Sequence, residues 1–140
     1  MRKWEIEGEL NFTKRQLRCL MKNQEMSKSK TYVVDGVSIQ VYPLNKWWLP
    51  QTFSGITLNG KIYLRRWETA SERTIRHEYT HTLQQKELGY IIFLIKYVGW
   101  WFIRGYMGIP FEKEAYYYQG TENYLQDRKP YAWREFRSKS

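Results

Sequence analysis

The sequence predicts an α+β fold, with β-hairpins in the first half of the chain and helices in the second. Three observations carry that expectation. Asp35-Gly36 and Asn59-Gly60 each sit between strand-forming runs, at the two-residue spacing of a tight hairpin whose turn needs positive φ. From Thr69 onward no Gly or Pro interrupts the chain until Gly89, which is long enough for a substantial helix. Hydrophobic residues at 42% and aromatics at 18% of 140 residues supply one core, so residues 1–140 read as a single domain and a disordered chain is excluded.

Taken in order, Thr13 caps a helix over about residues 13–26, with Leu17, Leu20 and Met21 on one side and Lys14, Arg15, Arg18 and Lys22 mostly elsewhere. A polar loop, SKSK at 27–30, precedes the sheet, which is expected over about 31–66. Between the two hairpins, PLNKWWLPQ has two prolines and two tryptophans and reads as a packed loop. Thr69 and Glu72 stand at capping-box spacing, which starts a helix over about 70–88 that Gly89 ends. A further helix starts near Pro110 and runs to about 127, with a disturbance at Gly120. The basic tail, 128–140, is expected to fray.

The net charge of +9 points to an acidic partner: nucleic acid, an anionic membrane surface, or an acidic protein. The basic residues form no single dense run, so a solvated basic surface is favoured over a nucleic-acid site. A lone Cys19 excludes a disulfide framework and a cysteine metal cluster. No apolar run follows Arg2 and Lys3, so there is no secretory signal and a cytoplasmic protein is expected.

Residues 88–109 are strongly apolar, and 88–103 carry Lys96 as their one charge. The run is shorter than the ~20 residues a spanning helix needs. It is expected to be a buried helix, a helix lying in a membrane surface, or a docking surface for a protein, with residues 90–107 as the contact.

Both histidines of the chain fall in HEYTH. On a helix His77 and His81 are one turn apart on one face, the arrangement for two ligands of a tetrahedral zinc ion. Glu78 lies about 100° round the helix, where it reaches a water on the metal instead. A catalytic site needs a third protein ligand, which here must be a carboxylate, and PFEKEAY offers Glu112 and Glu114.

With these motifs the chain resembles the gluzincin branch of the zincin metallopeptidases, over roughly residues 56–127. The resemblance implies a zincin-like fold in which a hairpin sheet packs on the HExxH helix and on a second, glutamate-bearing helix. It implies one zinc ion per chain held by His77, His81 and Glu112, with Glu114 as the fallback ligand, and Glu78 as general base. Where many gluzincins place an aspartate that orients a histidine, this chain has Tyr116, so Glu72, Glu114 or a backbone carbonyl is expected to take that part.

The expected reaction is peptide-bond hydrolysis. Tyr116, Tyr117 and Tyr118 offer phenols for the oxyanion, and Lys61, Ile62, Tyr63 and Leu64 are expected to form an edge strand that aligns a peptide or protein substrate, an acidic one given the charge. Two other readings stay open. One is a catalytically inactive zincin-shaped structural or binding protein, virus-encoded as a virion component or part of a larger assembly; the other is a basic nucleic-acid-associated protein using the helix from Thr13.

Overall fold

Asp35-Gly36 and Asn59-Gly60 do turn the chain, with φ of 53° and 77° at the first pair and 48° and 78° at the second. Asparagine and aspartate tolerate this region and glycine enters it freely, so each pair closes a two-residue hairpin. The structure, a computed structural model, describes residues 13–16, 28–45 and 52–137. The first hairpin joins β1 (Lys30–Val34) to β2 (Val37–Pro43), and the second joins β3 (Gly55–Leu58) to β4 (Lys61–Leu64).

The two hairpins merge into one mixed sheet of order β1-β2-β4-β3, in which β2 and β4 run parallel with Val41 opposite Ile62. Lys61–Leu64 is therefore paired on both sides, and β3 is the edge on that side among the described residues. This corrects the expected edge. The cause is burial, because Ile62 and Leu64 alternate inward with Val34, Ile39 and Val41, and only an interior position covers both of them.

Ile75 completes that core from α1 (Glu72–Leu88). The helix is capped by Ser71, whose Oγ accepts from the Thr74 N–H at 3.2 Å, rather than by Thr69, so it begins at Glu72. Gly89, at φ 82°, turns the chain, and α2 (Tyr90–Arg104) follows at once. Phe93 is the only buried residue of α2, so the described residues do not bury the apolar segment as a whole.

Gly105, at φ 73°, ends α2, and α3 (Pro110–Tyr118) follows a single 3-10 turn. The expected helix to 127 is broken around Gly120, where Arg73 Nη1 would lie 3.2 Å from an added Cβ. Asn123 then takes a left-handed φ of 64° and starts the short α4 (Tyr124–Asp127).

The tail over 128–137 is also ordered rather than frayed. Arg128 is tied to Glu87 and Glu114, and Trp133, in a 3-10 stretch from Ala132 to Phe136, packs at 5.0 Å on Phe111. Phe93, Ile109, Phe111 and Trp133 form a second core. Helix α1 thus runs between the sheet and α3.

At the N-terminal side, Thr13 caps as expected: its Oγ1 accepts from the Gln16 N–H, and Gln16 Oε1 accepts from the Thr13 N–H. The rest of that expected helix, including Leu17, Arg18, Leu20, Met21 and Lys22, lies outside the described residues, as do residues 46–51 of the loop and 138–140. No described helix is long and apolar enough to cross a membrane.

Candidate metal centre

One turn of α1 puts His77 above His81, their rings edge to face at 5.0 Å. Helix α3 crosses this face and delivers Glu112 from its first turn. Glu112 Oε1 lies 3.1 Å from His77 Nε2 and 3.0 Å from His81 Nε2. All three residues are buried, and their ligand atoms fall within 4.8 Å of one another, a cluster that could hold a metal ion.

The hydrogen bonding of His81 favours a cation between its Nε2 and Glu112. Gln84 donates its amide N–H groups to Phe111 O at 3.0 Å and Glu114 Oε1 at 3.2 Å, so its oxygen faces His81 Nδ1 at 2.8 Å as an acceptor. His81 therefore carries hydrogen on Nδ1, and its Nε2 lone pair points at a carboxylate unless a cation intervenes. Without a metal that cation is a proton. Burial opposes it, but the Glu112 carboxylate outweighs burial and pushes His81 up to about 9. Burial likewise works to raise Glu112, and the two histidines overcome it and hold the carboxyl well below its ordinary range.

The outer partners differ from those expected. Gln119 stands 3.0 Å from His77 Nδ1; its oxygen accepts from Arg73 Nη2 at 2.9 Å and Nε at 3.0 Å, so its amide N–H donates to that nitrogen. Tyr97, from α2, donates to Glu112 Oε2 at 2.9 Å. Gln84, Gln119 and Tyr97 were all missed. A signal existed for Gln84, three residues after His81 on the same face; Gln119 and Tyr97 come from other elements and had none.

Among the expected partners, Glu114 is fully buried and bonded to Arg128, Tyr124 and Gln84, so it is not available as the fallback ligand and meets His81 only through Gln84. Glu72 is exposed beside Arg76, away from the histidines. Tyr116 packs edge-on against His77 at 4.5 Å, and its hydroxyl is 3.4 Å from that of Tyr106. Tyr118 stacks on Tyr124 and Tyr117 leans on Phe136, so neither turns to the cluster.

Glu78 faces a cleft of about 830 Å³ that His77, His81 and Glu112 also line. Its Oε2 accepts from Thr57 Oγ1 at 2.7 Å, which fixes the carboxylate against β3. Gly55 belongs to the same wall; a Cβ there would meet Leu64 Cδ2 at 2.4 Å and come within 3.5 Å of Glu78 Oε1. The far wall is apolar, with Leu94, Tyr97 and Trp101 of α2.

No protein-family model, curated protein or solved structure matches this chain. By its own geometry the chain is an α+β protein with a small mixed sheet and a buried His-His-Glu cluster that could hold a metal ion.

Proposed function

We propose that this chain is a zinc-dependent metallopeptidase of the gluzincin kind, with His77, His81 and Glu112 as ligands and Glu78 as general base. The observation that carries the reading is the convergence of Glu112 Oε1 on both histidine Nε2 atoms while Glu78 stands beside them in an open cleft. Two imidazoles and one carboxylate suit zinc, and ligand atoms about 2.0–2.1 Å from a tetrahedral zinc lie roughly 3.3 Å apart, close to the 3.1 and 3.0 Å that separate Glu112 Oε1 from the two histidine nitrogens.

Zinc bound there supplies Lewis acidity, polarising a carbonyl oxygen and acidifying a water. The work of the chain's own residues follows from their placement. Glu78, oriented by Thr57, accepts the proton of the attacking water as it adds to the amide carbon, then returns it to the nitrogen as the C–N bond breaks. The outer side of β3, Gly55–Leu58, runs along the cleft; Gln85 Nε2 already donates to Thr57 O at 3.0 Å, so its Gly55 end would align an extended peptide by strand addition, in place of Lys61–Leu64. Tyr116 and Tyr106 line the same cleft as donors for the oxyanion.

The test is elemental analysis of zinc together with cleavage of a peptide library read by mass spectrometry. Wild type and Glu78→Gln should each hold one zinc, Glu112→Ala should lose it, and only wild type should cleave. Folded wild-type protein that takes up no zinc refutes the site. One zinc with no cleavage of any peptide refutes the peptidase and leaves a structural metal.

A further inference from the structure

Helix α2 presents to solvent a face that the proposed chemistry does not use. Phe93, Tyr97 and Trp100, three and four residues apart, turn into the second core. On the opposite side Ile91, Ile95, Val98 and Phe102 follow at the same spacings and are exposed, Phe102 at 87% and Ile91 at 65%. Ile92 and Ile103 widen the face on one flank, and Leu94 and Trp101 on the other. Single exposed apolar residues are ordinary, but a contiguous stripe of this kind marks a docking surface.

Charge decides what docks. Between Leu88 and Phe111 the sequence has no Asp or Glu, and its two charged residues are both cations, Lys96 and Arg104. Arg104 lies over Trp100 at 4.6 Å and donates to the carbonyl of Arg137, which itself lies over Trp133, so more positive charge gathers at the end of the helix. A second copy docked through α2 would bring these cations together with no acid on either helix to answer them. An anionic lipid surface complements both the charge and the apolar stripe, and tryptophan and tyrosine suit the boundary between headgroups and acyl chains. Fifteen residues span about 22 Å, short of the roughly 30 Å hydrocarbon layer, so the helix lies in the surface rather than across it.

We propose that α2 seats this protein on an anionic bilayer, with Ile91, Ile95, Val98 and Phe102 entering the boundary of the acyl region and Lys96, exposed beside the Ile92 and Ile103 flank, meeting lipid phosphates. Leu94 and Trp101 belong both to the flank of this face and to the wall of the cleft, so a seated chain presents its metal cluster to molecules at the membrane surface. The seating does not depend on the hydrolytic reading.

Cosedimentation of the full chain with phosphatidylcholine vesicles, with and without phosphatidylglycerol, tests it. Wild type should pellet with the anionic vesicles and far less with the neutral ones. Phe102→Glu should weaken that binding about tenfold or more, as expected for a large apolar side chain withdrawn from a buried position. Lys96→Gln should weaken it about fivefold on anionic vesicles and leave the neutral ones unaffected. Glu78→Gln should bind as wild type does, which separates seating from hydrolysis. Both outward substitutions replace exposed side chains, and circular dichroism confirms that they fold. Wild type that stays in the supernatant with both vesicles overturns the proposal, as does undiminished binding by folded Phe102→Glu. A lipid-free dimer that Phe102→Glu dissociates also overturns it, by showing a second copy on this face.

Discussion

Replacing Gln84 with methionine isolates the part that a buried amide plays in aiming His81. Methionine keeps the volume and removes three hydrogen bonds: to His81 Nδ1 at 2.8 Å, Phe111 O at 3.0 Å and Glu114 Oε1 at 3.2 Å. The losses are unequal. Phe111 O lies within α3, where the helix ladder serves it, and Glu114 Oε1 keeps Arg128 Nη2 at 3.0 Å. His81 Nδ1 keeps nothing. One orphaned buried donor costs about 1–3 kcal/mol and two weakened acceptors somewhat more, so metal-free protein should lose roughly 2–3 kcal/mol in urea unfolding. With its ring no longer held, His81 should bind zinc about 10–100-fold more weakly, measured by competition against a chromophoric chelator. Gln84→Glu separates the two effects: it retains an acceptor for Nδ1–H but sets a carboxylate against Glu114 and Phe111 O. It should lose more stability than the methionine variant and less zinc affinity. Folded Gln84→Met with zinc affinity within about twofold of wild type would refute the argument that this amide positions the ligand.

Other consequences are open to direct measurement. Tyr97→Phe removes the donor to Glu112 Oε2 but keeps the ring packed on Phe93 and Phe111, so zinc affinity should fall about tenfold while the urea midpoint in chelator changes little. Asp35→Ala strips two bonds from the buried Arg76 guanidinium and the caps of the Asn123 and Leu125 N–H groups, which should cost about 3–5 kcal/mol in urea unfolding. Acid should act through the same carboxylate. The Arg76 hydrogen bond, opposed by burial and aided by the Leu125 and Asn123 N–H groups, pulls Asp35 from 3.8 down to about 2. A lowered folded pKa means stability that is present above about pH 4 and lost as pH falls through about 2. Urea midpoints between those values should fall less steeply in Asp35→Asn than in wild type. Ligands shared by α1 and α3 also mean that zinc should raise the melting temperature of wild type and leave that of Glu112→Ala unchanged.

Local chemistry was legible in the sequence where it is written in adjacent residues. Asp35-Gly36 and Asn59-Gly60 demand positive φ whatever surrounds them, and Gly89 stops a helix by the same backbone freedom. His77 and His81 could be placed together because helix periodicity fixes a face, whereas Glu112 was set ahead of Glu114 only by the gluzincin resemblance. The N-terminus of α1 was misread by two residues because Thr69 has Glu72 at capping-box spacing while Ser71, with Thr74 there instead, caps through its own Oγ alone.

Pairing across the sheet and orientation about the metal cluster were not legible, for a different reason. Lys61–Leu64 alternates as an edge strand or an interior strand would, and the choice is made by β2, some twenty residues away, whose Val41 must be covered on the same face as Ile62. Tyr97 is harder still. In a run where almost every residue is apolar, periodicity has no polar side against which to read a face, so the single inward line of Phe93, Tyr97 and Trp100 cannot be told from the outward line of Ile91, Ile95, Val98 and Phe102. A helix that is apolar all round is normally enclosed by its own fold, and the described residues do not enclose this one. Its inner line buries a ring against Phe111 and holds Glu112, while its outer line remains exposed among the described residues. The same lack of pattern that hid Tyr97 therefore also marks the face proposed to seat on a bilayer, and the absence of acid along it is what makes an anionic surface the proposed occupant.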